Sequence, residues 1–293
     1  MSANAHPLLA STGNLRRRRA ANRGVEALSS VAALLAVAVL LIVVASVFVK
    51  GVGAINLDFF TKSTATFGVS PGIANAIIGS GIIVALAALM AIPVGVLVAI
   101  YTTEYADQRI ARAIRFALDI LNGVPTIVTG IFVLGLIVIP QGHPSGTAGA
   151  VALAIVMLPI IARTAQEVLE LVPGTLKEAS YALGVTRWRT IARVTIPTAI
   201  GGLLTGCLLA VARAVGETAP LILVNFLFAP GVNTDPSQGL ASIPVFIFTA
   251  SESPSPQAHT QAWAAALVLI AFVLVLNIVA RAFYARSRKR MEG

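Results

Sequence analysis

Apolar residues in this chain run in long blocks nearly free of charge, separated by short segments where Arg, Lys, Asp, Glu, Pro and Gly collect. A bilayer core of about 30 Å needs roughly 20 apolar residues in a helix that rises about 1.5 Å per residue. On that measure residues 27–49, 73–101, 117–139, 147–165, 197–226 and 259–282 read as six membrane-crossing helices. Pro93 and Gly95 interrupt the second. The cluster Pro140-Gln141-Gly142-His143-Pro144-Ser145-Gly146 stops helix propagation and predicts a tight turn, making the third and fourth spans antiparallel neighbours. Ile243 to Ala250 is apolar but too short to cross, and reads as an interfacial or re-entrant helix. Trp263 and Tyr284, at the two ends of the last span, suit the aromatic belts of a membrane.

The composition agrees with this pattern. With 293 residues, 57% hydrophobic, 11% charged and a mean hydropathy of +0.89, the chain has too few charges to coat a soluble globule. The expected fold is all-α, with a polar tail over 1–25, a membrane domain over 26–285, a long loop near 166–195 and a second tail over 286–293. The first apolar block, of about 23 residues, exceeds the roughly 7–15 of a signal-peptide core and reads as an uncleaved anchor. Cys207 lies within the fifth span and reads as a small packing residue.

A net charge of +9 in a soluble chain points to nucleic acid, but here the distribution argues for topology. With both termini in the cytoplasm, Arg16–Arg19, Arg23, Arg109, Arg112, Arg115, Arg163, Lys177, Arg187, Arg189, Arg193, Arg281, Arg286 and Arg288–Arg290 fall inside. Lys50 and Lys62 fall outside, and Arg213 lies in a span. That asymmetry is the positive-inside rule, so no nucleic-acid partner is expected.

Two segments carry candidate function. In the long loop, Pro173-Gly174 ends one helix, and Thr175 with Glu178 forms a capping box for a short helix over 176–183. Gly184 stops that helix, and Thr186 to Ile196 leads back toward the membrane. Such a helix–turn–helix is more than a connection needs and suits a docking surface, although a basic segment with Trp188 between arginines also suits anionic lipid. In the fifth span, Gly202, Gly206, Arg213 and Glu217 fall within about a 60° arc of one helix face. A mid-bilayer charge costs at least about 2.5–3.5 kcal/mol against lipid, so this stripe faces a helix neighbour or a partner subunit. Arginine holds an oxyanion through a planar donor fork and stays charged at physiological pH. Glu217 can keep Arg213 in place or take a proton from a protonated anion; a purely structural ion pair is the other reading.

These residues also carry a resemblance. Glu178-Ala179-Ser180, three residues, Gly184, nine residues, then Val194-Thr195-Ile196-Pro197 is similar to the ATPase-coupling loop of ABC importer permeases, with Ser180 at a usual alanine. Ala212-Arg213-Ala214-Val215-Gly216-Glu217-Thr218-Ala219-Pro220-Leu221 resembles the PstA-type permeases of phosphate importers. So do Gly123-Val124-Pro125-Thr126-Ile127-Val128, Leu158-Pro159-Ile160 with Arg163-Thr164, and Leu276-Asn277-Ile278-Val279-Ala280-Arg281. The resemblance implies the ABC importer permease fold in a bacterial inner membrane. It implies coupling through Glu178, Ala179, Gly184 and Pro197, and phosphate passage past Arg163, Arg213 and Glu217. It also implies a PstC-type permease, a PstB-type ATPase dimer holding ATP and magnesium, and a PstS-type phosphate-binding protein. Without it, Arg163 reads as a flank of the fourth span, and Asp119 is a carboxylate able to pair with such an arginine.

Other chemistry is not indicated. His6, His143 and His259 are isolated, so no metal site is expected. No Gly-x-x-x-x-Gly-Lys-Ser/Thr loop occurs, so the chain is read as carrying no cofactor, performing no catalysis and drawing its energy from another polypeptide. The rival readings are a permease of another ABC importer, an ion-coupled secondary transporter using Arg213 and Glu217 as a charge relay, and a non-transporting scaffold or sensor.

Overall fold

The computed structural model describes residues 12–64, 72–225 and 231–292, with side-chain surroundings between residues 17 and 282. His6 and the side chains of Arg16, Tyr284, Arg286, Arg288, Lys289 and Arg290 lie outside them. All regular structure among the described residues is helical. The chain divides between Val49 and Lys50 into two compact units. The first is the body of α1 (Thr12–Gly51), a continuous helix that takes in the arginine run before the first apolar block.

The second unit holds α2 (Leu57–Thr61), α3 (Ala74–Ile100), α4 (Gln108–Gly123), α5 (Thr126–Val133), α6 (Ile139–Gln141) and α7 (Gly146–Glu170). It continues with α8 (Gly174–Ala182), α9 (Arg187–Thr190), α10 (Ile196–Val215), α11 (Ala219–Val224), α12 (Ile243–Glu252) and α13 (Pro256–Glu292). Wider π turns follow α3 at Tyr101–Tyr105, follow α5 at Leu134–Val138 and precede α10 at Ile191–Thr195. Five helical stretches among the described residues are long and apolar enough to cross a membrane: Arg17–Ala54, Ala74–Tyr105, Gly146–Glu170, Arg187–Val215 and Pro256–Ala282. A sixth crossing is made if Gln108–Gly123 and Thr126–Gln141 count as one broken span.

That break departs from the straight helix expected over 117–139. α4 and the helix from Thr126 meet at 95°. Pro125 has no N–H and pushes the residue before it out of the α region, so Val124 is extended at φ −69° and ψ 128°. Asp107 starts α4 by accepting hydrogen bonds from the N–H groups of Arg109 and Ile110 at 2.8 and 2.9 Å. The expected interruption at Pro93 does not occur, because α3 runs unbroken through it. A span helix tolerates the lost bond where neighbouring helices pack around it. The expected turn is present: Gly142 takes φ +80°, and the Ser145 hydroxyl caps α7 by accepting from Ala148 N–H at 3.2 Å.

The core lies where α3, α7 and α10 meet, around Ile83, Ala87, Ala91, Leu153, Met157, Ile161, Cys207, Ala210 and Ala214. Small residues set the helix spacing. A Cβ on Gly95 would come within 2.8 Å of Ile161 Cγ2. One on Gly202 would meet Val168 Cγ1 at 2.6 Å, and one on Gly206 would meet Thr164 Oγ1 at 2.6 Å. α7 and α10 therefore run antiparallel, in the register Gly202 to Val168 and Gly206 to Thr164. At the opposite end of the bundle, the buried Asn225 amide donates to Leu240 C=O at 2.7 Å and accepts from Leu240 N–H at 2.9 Å. Ile243 N–H then donates to Ser80 Oγ at 2.8 Å, seating α12 on α3.

Candidate coupling surface and charged stripe

α8 forms within the long loop, but not by the expected capping box. Pro173 occupies the N-cap position without a side-chain cap, so Thr175 and Glu178 lie inside the helix. Proline fixes the φ that a helix entry needs, and this one substitution of mechanism moves the start to Gly174. The end follows the expected geometry. Gly184 takes φ +74°, its N–H donates to Tyr181 C=O at 2.9 Å, and Val185 N–H reaches Ser180 C=O at 3.2 Å. These paired bonds are a Schellman motif, and they need the left-handed residue that glycine supplies.

The short helix has two faces. Glu178 and Ala179 are exposed, together with Leu176, Tyr181 and Trp188 and with Leu183 at 83%. A cluster of apolar side chains open to the surface around one acidic residue is the character of an interaction site. On the inner face, the Lys177 ammonium pairs with the Glu104 carboxylate at 2.5 Å, and the Ser180 and Thr190 hydroxyls share a hydrogen bond of 2.8 Å. Arg187, at the start of α9, stacks 4.9 Å from the Tyr105 ring centroid. The chain then passes through the π turn Ile191–Thr195 into α10, where Pro197 sits in the first turn. A proline there cannot donate to the carbonyl one turn back, and the helix is already widened into a π turn just before it.

The charged stripe is shorter than expected. α10 ends at Val215, and Pro220 in the first turn of α11 cannot donate a hydrogen bond back to Gly216. Glu217 consequently lies past the helix end, with its N–H on Ala214 C=O at 3.1 Å. It still reaches Arg213, Nε to Oε1 at 3.6 Å, with the Arg213 side chain 58% exposed and Glu217 17%. Arg163 is not joined to this pair. Its guanidinium meets Asp119 of α4 at 3.0 Å, and a second bridge, Arg115 to Glu170 at 2.6 Å, ties the same two helices. By the α7–α10 register, Arg163 lies beside the level of Gly206, and Arg213 is about 10 Å farther along α10 at about 1.5 Å per residue. The structure therefore presents two arginine–carboxylate pairs at different depths rather than one cluster.

The contacts of Glu104 and Tyr105 with the loop were not anticipated from the sequence. The one signal was a carboxylate directly after a membrane-length apolar block, a place where burial requires a partner.

The comparisons with known proteins follow these features. Residues 91–293 match the family described as binding-protein-dependent transport system inner membrane component. The chain is 39% identical over 273 residues to the phosphate transport system permease protein PstA of Yersinia pestis, covering 92% of each. It is 41% identical to the phosphate transport system permease protein PstA 1 of Mycobacterium tuberculosis strain H37Rv, over 75% of this chain and 72% of that one. Among solved structures, a bacterial alginate ABC transporter in complex with its alginate-bound periplasmic protein shares the fold at a TM-score of 0.65 and 13% identity. That likeness covers 92% of this chain and 96% of the other. An inward-facing MetNI methionine ABC transporter does so at 0.58 and 19%, covering 74% and 94%. A match over more than two thirds of the chain, with PstA relatives aligned along nearly all of it, places the protein: it belongs to the family of binding-protein-dependent transport system inner membrane components.

Proposed function

We propose that this chain is a permease subunit of an ATP-driven importer of inorganic phosphate in a bacterial inner membrane. The observation that carries the reading is the 39% identity to a PstA phosphate permease along 92% of both chains. The chain is a transport subunit and not an enzyme; hydrolysis of ATP belongs to a separate polypeptide. Its proposed partners are a PstC-type permease, a PstB-type ATPase dimer holding ATP and magnesium, and a PstS-type phosphate-binding protein. Both termini and α8 are assigned to the cytoplasm, as the distribution of Arg and Lys requires.

In this reading the ATPase grips the exposed face of α8 at Glu178 and Ala179. The left-handed turn at Gly184 fixes the angle between α8 and α9, and Pro197 marks the point where the motion enters α10. Closure of the ATPases tilts α7 and α10 and changes the side to which the pathway opens. Arg213 and Arg163 offer phosphate two successive guanidinium forks. Each is held by a carboxylate, Glu217 or Asp119, that the anion displaces on arrival. A carboxylate partner keeps an empty site from holding an unpaired charge and keeps phosphate from binding too tightly to leave.

The test is phosphate uptake in cells lacking their own PstA-type permease. The chain, expressed with its three partners, restores uptake. Glu178→Lys abolishes uptake and loses the ATPase on co-purification, while the chain stays in the membrane. Normal recovery of the ATPase with Glu178→Lys would remove the docking role from α8.

A further inference from the structure

Glu104 is the most deeply buried carboxylate with a defined partner among the described residues. Its side chain is 5% exposed, in the π turn that continues α3. A carboxylate removed from water in this way is tolerated only with a charge partner and a fixed geometry. The partner, Lys177, belongs to α8, 73 residues away in the chain. The next residue along, Tyr105, lies under the Arg187 guanidinium of α9. The loop's two helices are thus fastened to adjacent residues at the end of α3, and the Ser180–Thr190 hydrogen bond fastens them to each other. π turns are frequent at functional sites, and two lie beside these contacts, Tyr101–Tyr105 after α3 and Ile191–Thr195 after α9.

The consequence is mechanical. α8 is joined covalently to α10 through α9. The salt bridge and the cation–π contact add a second, non-covalent route, into α3. α3 packs closely on α7, with Gly95 against Ile161, so a push on α8 through this route reaches the α3–α7 pair directly.

We propose that Glu104, through Lys177, is a positioning residue that transmits docking-loop motion to the second membrane span, so that its loss uncouples ATP hydrolysis from transport. This inference rests on the coupling role assigned above to α8.

The experiment uses the whole transporter, with both permeases, the ATPase and the phosphate-binding protein, in proteoliposomes. Phosphate transported per ATP hydrolysed is measured for wild type, Glu104→Gln, Lys177→Met and the charge swap Glu104→Lys with Lys177→Glu. In the single variants the ATPase co-purifies normally and hydrolysis continues. The transport-to-hydrolysis ratio falls by a factor of roughly 5 to 150, the usual span of a coupling free energy. The swap recovers part of the ratio. A purely structural role lowers the amount of assembled transporter and leaves the ratio alone. In a Cys207→Ala background, Glu104→Cys with Lys177→Cys has a low ratio that a short bis-maleimide raises in the same sample. A ratio unchanged in both single variants would overturn the proposal. So would loss of assembly in every variant, swap included, because the pair would then serve folding alone. Recovery of normal ATPase with Glu178→Lys would instead overturn the docking role on which the proposal stands, so the two failures are distinct.

Discussion

Gly206 of α10 packs directly against Thr164 of α7, and adding one methyl there tests the packing of α10 on α7. An ideal Cβ on Gly206 lies 2.6 Å from Thr164 Oγ1 and 3.0 Å from Thr164 Cβ, against ordinary contacts beginning near 3.4 Å. Thr164 cannot simply rotate away at no cost, since its hydroxyl donates to Ile160 C=O at 2.9 Å. Gly206→Ala must therefore open the interface by about 0.8 Å or displace that hydroxyl, an overpacking that costs about 1–3 kcal/mol. At about 2–4 °C per kcal/mol for a domain of this size, the melting temperature falls by roughly 2–12 °C. Thr164→Ala removes the nearer clash but leaves its Cβ at 3.0 Å, so the double variant regains part of the loss and not all of it. The assay is thermal unfolding of detergent-solubilised protein at one scan rate, read as a double-mutant cycle. Phosphate uptake is measured in parallel, because Arg163 adjoins Thr164 and moves with it. Gly206→Ala as stable as wild type, or a Thr164→Ala background that fails to reduce its effect, would refute this packing.

Three other outcomes are expected. Gly184→Ala places a side chain at φ +74° with nothing within 4 Å of the new Cβ, so its cost of about 1 kcal/mol is conformational. It shows as weaker ATPase recovery at equal membrane abundance, and unaltered recovery would mean the turn does not orient α8. Asn225→Ala strips both polar groups of the buried Leu240 peptide of their partner and destabilises by about 1–3 kcal/mol per orphaned group. That is read as lost protease resistance in residues 231–242. Arg163→Lys keeps the charge and loses the fork, so uptake falls while ATPase binding persists; full uptake would make Arg163 only a topology signal.

The membrane-length blocks were legible because apolar content over about 20 residues is set by the solvent and not by neighbours. Gly184 was legible for the same reason, its left-handed geometry being a local backbone property. The effect of prolines within the apolar blocks was not. Pro93 and Pro159 sit inside unbroken helices, whereas Pro125 ends one and turns the chain by 95°. All three remove the same hydrogen bond, and tertiary packing decides whether the helix carries on. Glu217 was placed correctly beside Arg213 but on the wrong backbone, since the effect of Pro220 on Gly216 was not weighed. The Thr175 cap failed because Pro173 offered another entry to the helix. Glu104 to Lys177 spans 73 positions, a separation at which spacing carries no information. Asp119 was recognised as a carboxylate available to an arginine, and only the structure pairs it with Arg163 at 3.0 Å.

Radiolabelled phosphate flux into vesicles, with this chain present alone or with its permease, ATPase and binding-protein partners, bears most directly on the assignment. The account predicts uptake only in the complete assembly and only with ATP, lost with Arg213→Gln while the ATPase remains bound. Flux driven by an ion gradient in vesicles containing this chain alone would contradict it.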